Sequence, residues 1–170
     1  MDLQPTAGTS IRPATIADAE ALARIYNYYV QETIVTFEEE AVLAVDMAGR
    51  IDEVRSASLP WMVAEEAGEV AGYAYASKWK GRRAYRFSTE VTVYLEHGCG
   101  GRGIGTNLYS QMLPALKAQG FHVVIGGIAL PNAASVVLHE KFGFEKAAQF
   151  QEVGFKFGKW IDVGYWHKIL

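Results

Sequence analysis

The segment from Gly98 to Gly105 holds five glycines in eight positions, and an amphipathic helix pattern follows at once. Glycine loses more conformational freedom on folding than any other residue, so such a cluster needs a physical reason. Glycines let a ligand approach the backbone closely, and the first N–H groups of a helix lack intrahelical partners and attract anions. Arg102 adds a charged donor within the same segment. The segment therefore predicts a phosphate-binding loop that leads into a helix.

Two nucleotide-binding motifs and one purely structural alternative compete with this interpretation. Gly98, Gly100 and Gly103 fit the spacing G-x-G-x-x-G of a dinucleotide site, but that site expects a carboxylate about 20 residues later, at the end of the next strand. Here that strand ends in GGIALPN without an acid, and too little chain follows for a doubly wound domain. A Walker loop requires Lys-Ser or Lys-Thr after the glycines, and neither follows. The structural alternative is a flexible loop that only precedes a helix.

The hydrophobic periodicity predicts alternating groups of helices and strands. Apolar residues at helical spacing predict helices after a cap at Thr15 or Asp18, within 42–57, from Ile104 to near Gly120, and from the cap Asn132 to Gly143. Runs typical of strands lie around Ile11, on both sides of a turn at 66–68, and over 87–95, 122–130 and 160–170. This order predicts an α/β (α+β) layered fold, with a mixed, mostly antiparallel sheet flanked by helices. We expect one domain over residues 11–170 after a flexible, polar tail at 1–10.

Composition narrows the class of partners and the compartment. The 170 residues carry a formal net charge of -3, and no apolar run approaches the roughly 20 residues of a membrane span, so we expect neither nucleic acid nor a membrane as partner. The start MDLQPTAGTS lacks a basic region followed by an apolar stretch, so we expect no signal peptide. Cys99 is the single cysteine, which excludes an internal disulfide. A cytoplasmic location fits these features.

The order of segments resembles the GCN5-related N-acetyltransferase (GNAT) superfamily. The strand TEVTVYL, the segment GGRGIG opening a helix, another strand, and then LPNAASVVLHEKFGF follow that family's order. Gly103-Ile104-Gly105 matches its G-x-G, and Asn132, Ser135, Gly143 and Phe144 match its following helix. Blocks from about Ile11 to Leu170 are most similar to the phosphinothricin and methionine-sulfoximine N-acetyltransferases. The resemblance implies a GNAT-like fold, acetyl-CoA as co-substrate, and a homodimer in which Trp160, Tyr165 and Trp166 either join the interface or fill the core.

The resemblance also implies which residues hold acetyl-CoA. Val93-Tyr94-Leu95 resembles the strand that pairs with the pantetheine amides, and an N–H near Val93 would hold the thioester oxygen. Asn132 belongs to the same site. The pyrophosphate would be bound by the loop amides of Gly101, Arg102, Gly103, Ile104, Gly105 and Thr106. This chain has Gly100 where the family usually has Gln or Arg, so one phosphate-facing side chain is missing.

Two side chains are candidates for proton transfer. Glu90 lies in the alternating strand, on the face opposite Val91 and Val93, and related enzymes carry a general base there; the alternative is a solvated carboxylate on an edge strand. His139 stands where many relatives have a tyrosine that protonates the leaving thiolate; the alternative is a structural histidine. The other three histidines lack the spacing of metal ligands, so we expect no metal.

The segment KWKGRRAYRF, at 78–87, precedes the strand that carries Glu90. Its cations are either a solvated surface or a site for an anionic acceptor, since Arg pairs with carboxylates through two hydrogen bonds. By resemblance the acceptor pocket is lined by Lys80, Gly81, Arg82, Glu90, Val91 and Thr92. Phe37 and Trp79 would form an apolar wall of that pocket.

The predicted activity is direct acetyl transfer from acetyl-CoA to the α-amine of a small amino acid or analogue, such as phosphinothricin or methionine sulfoximine. Acetylation of protein N-termini or polyamines is the alternative within the superfamily, and a non-catalytic acyl-CoA sensor is the alternative outside it.

Overall fold

The computed structural model describes residues 8–170 of the chain. Seven strands form one sheet in the order β1-β2-β3-β4-β5-β7-β6, and every neighbouring pair is antiparallel except β4 and β5. The strands are β1 (Thr9–Pro13), β2 (Trp61–Glu66), β3 (Glu69–Lys78), β4 (Ser88–Leu95), β5 (Val123–Leu130), β6 (Glu145–Lys156) and β7 (Lys159–Ile169). The helices are α1 (Ala19–Glu32), α2 (Ala44–Ser56), α3 (Ile104–Ala118) and α4 (Ala133–Lys141). The predicted mixed, mostly antiparallel sheet flanked by helices is therefore confirmed.

A hydrophobic core lies on each face of the sheet. Tyr94 of β4 belongs to the core that α1 and α2 cover, whereas Val91 of β4 belongs to the core beneath α3. Because side chains alternate along β4, this strand contributes residues to the cores on both faces of the sheet. Leu108, Met112 and Leu116 of α3 are fully buried, as their spacing by four predicts.

The strand β6 was not predicted. Its sequence EKAAQFQEVGFK is exposed over most of its length and lacks regular alternation, because it is the edge strand and its pairing with β7 is interrupted between Phe150 and Gly154. Of the predicted tail at 1–10, residues 1–7 lie outside the described residues. Thr9 and Ser10 pair with β2, so strand β1 starts before residue 11.

Candidate active site

The parallel strands β4 and β5 part in the middle of the sheet. They pair only from Ser88↔Val123 to Glu90↔Ile125, although both strands continue for five more residues. The separation leaves a cleft between 91–95 and 126–130. One face of the sheet at this point carries α1, and the other carries α3 and α4.

Main-chain groups of β4 face this cleft without a partner on β5. Hydrogen-bonded pairs alternate along β3 and β4, and the Glu96 N–H donates to the Ala71 carbonyl at 2.9 Å, so even-numbered residues of β4 bond to β3. The amide groups of Val91 and Val93 therefore point towards β5, beyond the end of the β4–β5 pairing. The Leu95 carbonyl accepts a hydrogen bond from the Tyr29 hydroxyl at 2.6 Å. Among residues 8–170, the main-chain groups of Val93 have no strand partner on the β5 side, so they can bond an extended ligand.

Glu90 lies at the point where the two strands part. It is half-buried on a central strand, so the alternative of an edge carboxylate does not describe it. An added Cβ on Gly127 of β5 would come within 3.2 Å of Glu90 Oε1, which shows that the carboxylate lies against bare backbone across the cleft. Burial raises the pKa of the Glu90 carboxyl, and within residues 8–170 no hydrogen bond or cation opposes that effect.

Two hollows meet at this point of the sheet. The loop-side groove, of about 400 Å³, runs past Tyr29, Val93, Gly98, Gly100 and Asn132. The Glu90 cavity, of about 450 Å³, is lined by Glu90 and Thr92 together with side chains of the α1–α2 loop and β7. A hollow of about 40 Å³ lies between them and shares Thr92 with one and Asn132 with the other. A ligand in the groove and a second ligand in the Glu90 cavity would therefore meet beside the Glu90 carboxylate.

The glycine-rich loop adopts backbone conformations that favour glycine. Gly98, Gly101 and Gly103 have φ values of 83°, 76° and 83°, which side-chain-bearing residues rarely adopt. Gly103 caps α3, and the N–H groups of Ile104 and the two residues after it precede the first intrahelical bond, from Asn107 to the Gly103 carbonyl. Gly105 has a further, packing role, since a Cβ there would contact Leu138 of α4 at 3.1 Å.

The cations around this loop differ from the sequence-based expectation. Arg102 donates to Glu66 Oε2 at 2.5 Å, so its charge is already paired on the β2–β3 side of the loop. Lys141, at the end of α4, places its ammonium 3.3 Å from the Thr106 hydroxyl in the first turn of α3. Sequence analysis did not single out Lys141, because nothing along the chain links the end of one helix to the start of another. Asn132 caps α4, accepting from the Ser135 N–H at 3.1 Å, as predicted.

His139 is buried at 3% exposure and both ring nitrogens are engaged. Nδ1 lies 2.7 Å from the Ser135 carbonyl, which can only accept, so Nδ1 carries the proton and Nε2 accepts from the Tyr109 hydroxyl at 3.1 Å. Burial lowers the pKa of His139 and keeps the ring neutral at pH 7, against the hydrogen bond to Ser135. This geometry favours the structural alternative, and proton donation by His139 stays a prediction.

The basic loop lies beside the Glu90 cavity rather than in it. Lys80, Gly81 and Arg82 are exposed, and the Lys80 ammonium lies 5.7 Å from the centres of the Trp79 and Tyr85 rings. None of the three lines the Glu90 cavity. Trp79 packs edge-on against Tyr165 at 5.7 Å, and Tyr165 lines that cavity. The loop therefore borders the entrance.

The unpredicted strand β6 builds the outer wall of the Glu90 cavity. Val153 and Phe37 both line it, and a Cβ on Gly154 would lie 2.3 Å from the Phe37 ring. Lys156 is 1% exposed and donates to the Thr36 carbonyl at 2.7 Å and to the Tyr29 carbonyl at 3.4 Å. A lysine inside the apolar run VGFKF is the one sequence signal that could have indicated this contact.

The described part of the chain brings together no group of three His, Cys, Asp or Glu side chains that could hold a metal ion. None of the helices within residues 8–170 has the length and apolar character needed to cross a membrane.

Comparisons with known proteins agree with this geometry. Residues 11–164 match the family model described as an acetyltransferase (GNAT) domain. A phosphinothricin N-acetyltransferase of Streptomyces viridochromogenes is 40% identical over 158 residues, which cover 93% of this chain and 86% of the relative. An L-methionine sulfoximine/L-methionine sulfone acetyltransferase of Pseudomonas aeruginosa is 36% identical and covers 92% and 91%.

A solved structure gives the same result at the level of the fold. The phosphinothricin acetyltransferase of Sinorhizobium meliloti, solved in complex with acetyl-CoA, superposes with a TM-score of 0.92 at 35% identity. The match covers 96% of this chain and 89% of the other.

Proposed function

Because this chain belongs to the GNAT acetyltransferase family, we propose that it transfers the acetyl group of acetyl-CoA directly to the α-amine of a small amino acid or analogue. The observation that carries the proposal is the half-buried Glu90 carboxylate in a cavity that adjoins a groove, and this groove is bordered by Gly98 and Gly100 of the glycine-rich loop and by the start of α4. Relatives named for phosphinothricin and methionine sulfoximine make amino-acid analogues the first acceptors to test.

Glu90 is proposed as the general base. An amine attacks a thioester only as the neutral base, while a chain-terminal amine has a reference pKa of about 8 and is mostly protonated at neutral pH. The raised pKa of the Glu90 carboxyl supports this role, since a base is most effective when its pKa approaches the working pH. The amine would give its proton to Glu90, directly or through one water, as its nitrogen bonds to the acetyl carbon.

The loop-side groove is the proposed site of acetyl-CoA. The amides from Gly101 to Thr106 would bind the pyrophosphate, and Lys141 supports the same end of the site with a positive charge. The amide groups of Val93 would pair with the pantetheine or hold the thioester oxygen, with Leu95 and Asn132 completing the groove. Tyr94, between Val93 and Leu95, would contribute main-chain groups only, since its side chain belongs to the core under α1. Both ligands bound side by side would make an acetyl-enzyme intermediate unnecessary.

The proposal includes a homodimer in the cytoplasm. The β6–β7 hairpin exposes large apolar side chains on an edge of the sheet, which is typical of a surface covered by another chain. Of the predicted acceptor residues, Thr92 would bind the acceptor beside Glu90, and Lys80, Gly81 and Arg82 would contact it at the entrance. The Val91 side chain is buried beneath α3, so only its main chain faces the cleft. Trp166 is buried in the core, so only Trp160 of the two tryptophans is available to an interface.

A thiol-release assay tests the function. The protein is incubated with acetyl-CoA and phosphinothricin, methionine sulfoximine, several L-amino acids, a peptide and spermidine in turn. We expect release with amino acids or their analogues and none with spermidine, and mass spectrometry should find an N-acetyl product. Acetyl-CoA binding without thiol release across the whole panel would instead identify an acyl-CoA sensor.

A further inference from the structure

A further hollow, the aromatic cavity, lies between α2 and the strands β2 and β3. Its volume is about 290 Å³. The rings of Trp61, Tyr73 and Tyr75 line it and stack with interplanar angles of 20–24°. Met47 and Val54 of α2 lie among the other lining residues. A concave site with this lining suits an apolar or aromatic group of a small molecule.

The aromatic cavity lies beside the Glu90 cavity on the same face of the sheet. Ser77 lines the aromatic cavity and is the direct cross-strand partner of Glu90, so the two side chains are about 5 Å apart at Cβ. Tyr26 and Tyr75 line both cavities. Neighbouring strands are about 4.8 Å apart. A molecule with its amine at Glu90 on β4 therefore needs to reach only as far as β3 to contact the rings of the aromatic cavity.

Tyr26 and Tyr75 form the shared boundary between the cavities. The Tyr26 hydroxyl bonds to the Thr36 hydroxyl at 2.7 Å, and the Tyr75 ring stacks on Trp61 with ring centres 4.4 Å apart. The Tyr26 hydroxyl is thereby tied to the Glu90 side, and both rings present apolar surfaces. An apolar side chain can therefore pack against these two rings as it passes from one cavity to the other.

The charges near the aromatic cavity are paired or at its rim. Arg50 is bonded to Glu38 at 2.8 Å and lies over the Tyr26 ring. Glu53 and Lys78 are exposed, and Lys78 is the cross-strand partner of Thr89, next to Glu90. Lys78 can therefore attract a carboxylate at the rim, while the interior offers an uncharged lining.

We propose that the aromatic cavity binds the side chain of the acceptor, and that the preferred acceptors are L-amino acids with aromatic or long apolar side chains. This inference rests on the proposed function, because it places the acceptor's amine at Glu90. We expect kcat/KM to be at least tenfold higher for such an acceptor than for L-alanine, because the methyl group of alanine leaves the cavity unfilled.

A cavity-filling variant tests the proposal. Ala57 follows α2 at the exposed edge of the cavity with ordinary backbone angles, so Ala57→Phe introduces a ring without disturbing the core. Val45 is 72% exposed on the same helix and does not line the cavity, so Val45→Phe is the matched control. We measure thiol release with L-phenylalanine, L-tryptophan, L-methionine and L-alanine, and the binding of N-acetyl-L-phenylalanine by calorimetry.

The wild type should prefer phenylalanine, tryptophan or methionine to alanine by tenfold or more. That ratio should fall about tenfold in Ala57→Phe and stay the same in Val45→Phe. Equal use of all four acceptors, or a ratio unchanged by Ala57→Phe, overturns the cavity assignment while thiol release still upholds the acetyltransferase. If no acceptor releases thiol, the proposed function fails. Calorimetry then decides the cavity separately, since binding that Ala57→Phe weakens supports an aromatic site and absent binding rejects it.

Discussion

Glu90 carries a carboxylate at a place that disfavours charge. It is half-buried on a central strand, lies against the backbone of Gly127, and receives no hydrogen bond from residues 8–170. Its pKa is therefore raised by desolvation alone. Desolvation makes the Glu90 carboxylate a stronger base, and the burial of its charge lowers the free energy of unfolding. Both effects can be measured in one variant.

Glu90→Gln should lower kcat by about 10²–10⁴-fold with little change in acetyl-CoA affinity. In the wild type, kcat/KM should rise with pH as Glu90 ionises, and the variant should lose that rise. The exposed Glu145→Gln is the control. An unchanged pH–rate profile in Glu90→Gln would show that another group takes the proton.

The same substitution should change stability in a defined direction. Because the pKa of Glu90 is raised on folding, the protonated form favours the fold, and that contribution is present below the ordinary value of 4.5 and lost as pH rises through the raised value. Glu90→Gln, which stays neutral, should therefore gain in free energy of unfolding relative to wild type as pH rises from 4 to 7. Chemical denaturation at several pH values measures the difference.

His139 is tested by His139→Asn. If its role is structural, the Tyr109 hydroxyl loses its partner in the core and the free energy of unfolding falls by about 1–3 kcal/mol. We expect this loss, with a pH–rate profile of unchanged shape. A fall in kcat of about 100-fold at unchanged stability would instead identify His139 as the proton donor.

Two elements determine the ends of the site. The start of α3 faces Lys141 of α4, and the edge strand β6 holds the α1–α2 loop through Lys156. Each contact joins elements that are far apart along the chain, and each should affect one ligand only.

Lys141→Gln should raise the KM for acetyl-CoA about twofold to fivefold, because an exposed ion pair contributes about 0.5–1 kcal/mol. The difference should shrink at high salt, where surface charges are screened. Lys159→Gln, on the distant β6–β7 hairpin, is the matched control. An equal rise in the acceptor KM would argue against a phosphate contact.

Lys156→Met should raise the acceptor KM more than the acetyl-CoA KM. The Lys156 ammonium bonds to the Thr36 carbonyl, and Val35, Thr36 and Phe37 line the Glu90 cavity. Loss of the ammonium therefore removes the contact that holds this part of the cavity wall in place. Hydrogen bonds to a charged group contribute about 1.5–3 kcal/mol, so the thermal midpoint should fall as well. Lys156→Arg should restore part of the acceptor affinity, and Lys146→Met, on the exposed part of β6, should change neither KM. Equal changes in both KM values would reduce Lys156 to a general stabilising residue.

At the scale of the whole molecule, the β6–β7 hairpin forms an apolar edge that the rest of residues 8–170 leaves exposed. Phe155 and Trp160 lie on the β6–β7 hairpin with ring centres 4.8 Å apart and are 54% and 64% exposed. Phe150, Val153 and Phe157 of the same hairpin are more than half exposed. An edge strand of this kind pairs readily with another chain.

Light scattering after gel filtration should give twice the mass of one chain for the wild type. Trp160→Glu should shift the population towards the monomer, because it places a charge among the exposed apolar side chains of the β6–β7 hairpin. Lys117→Glu, near the end of α3, makes the same kind of surface change elsewhere and should leave the mass unchanged. A wild-type mass of one chain would reject the homodimer.

The sequence by itself determined the features that depend on neighbours along the chain. The spacing of Leu108, Met112 and Leu116 predicted α3, the alternation around Glu90 predicted a strand with two different faces, and the glycines predicted a loop that leads into a helix. These patterns can be read locally because a helix repeats every 3.6 residues and a strand every two.

Only the tertiary structure decided which distant groups meet and how well they are desolvated. Strand order made Glu90 central rather than peripheral, packing paired Arg102 with Glu66, and Lys141 reached the start of α3. The strand β6 lacks a periodic signal because only its partner β7 and the α1–α2 loop give its residues their environment. Burial and contact across the sheet are properties of the packed layers, and no local pattern encodes them.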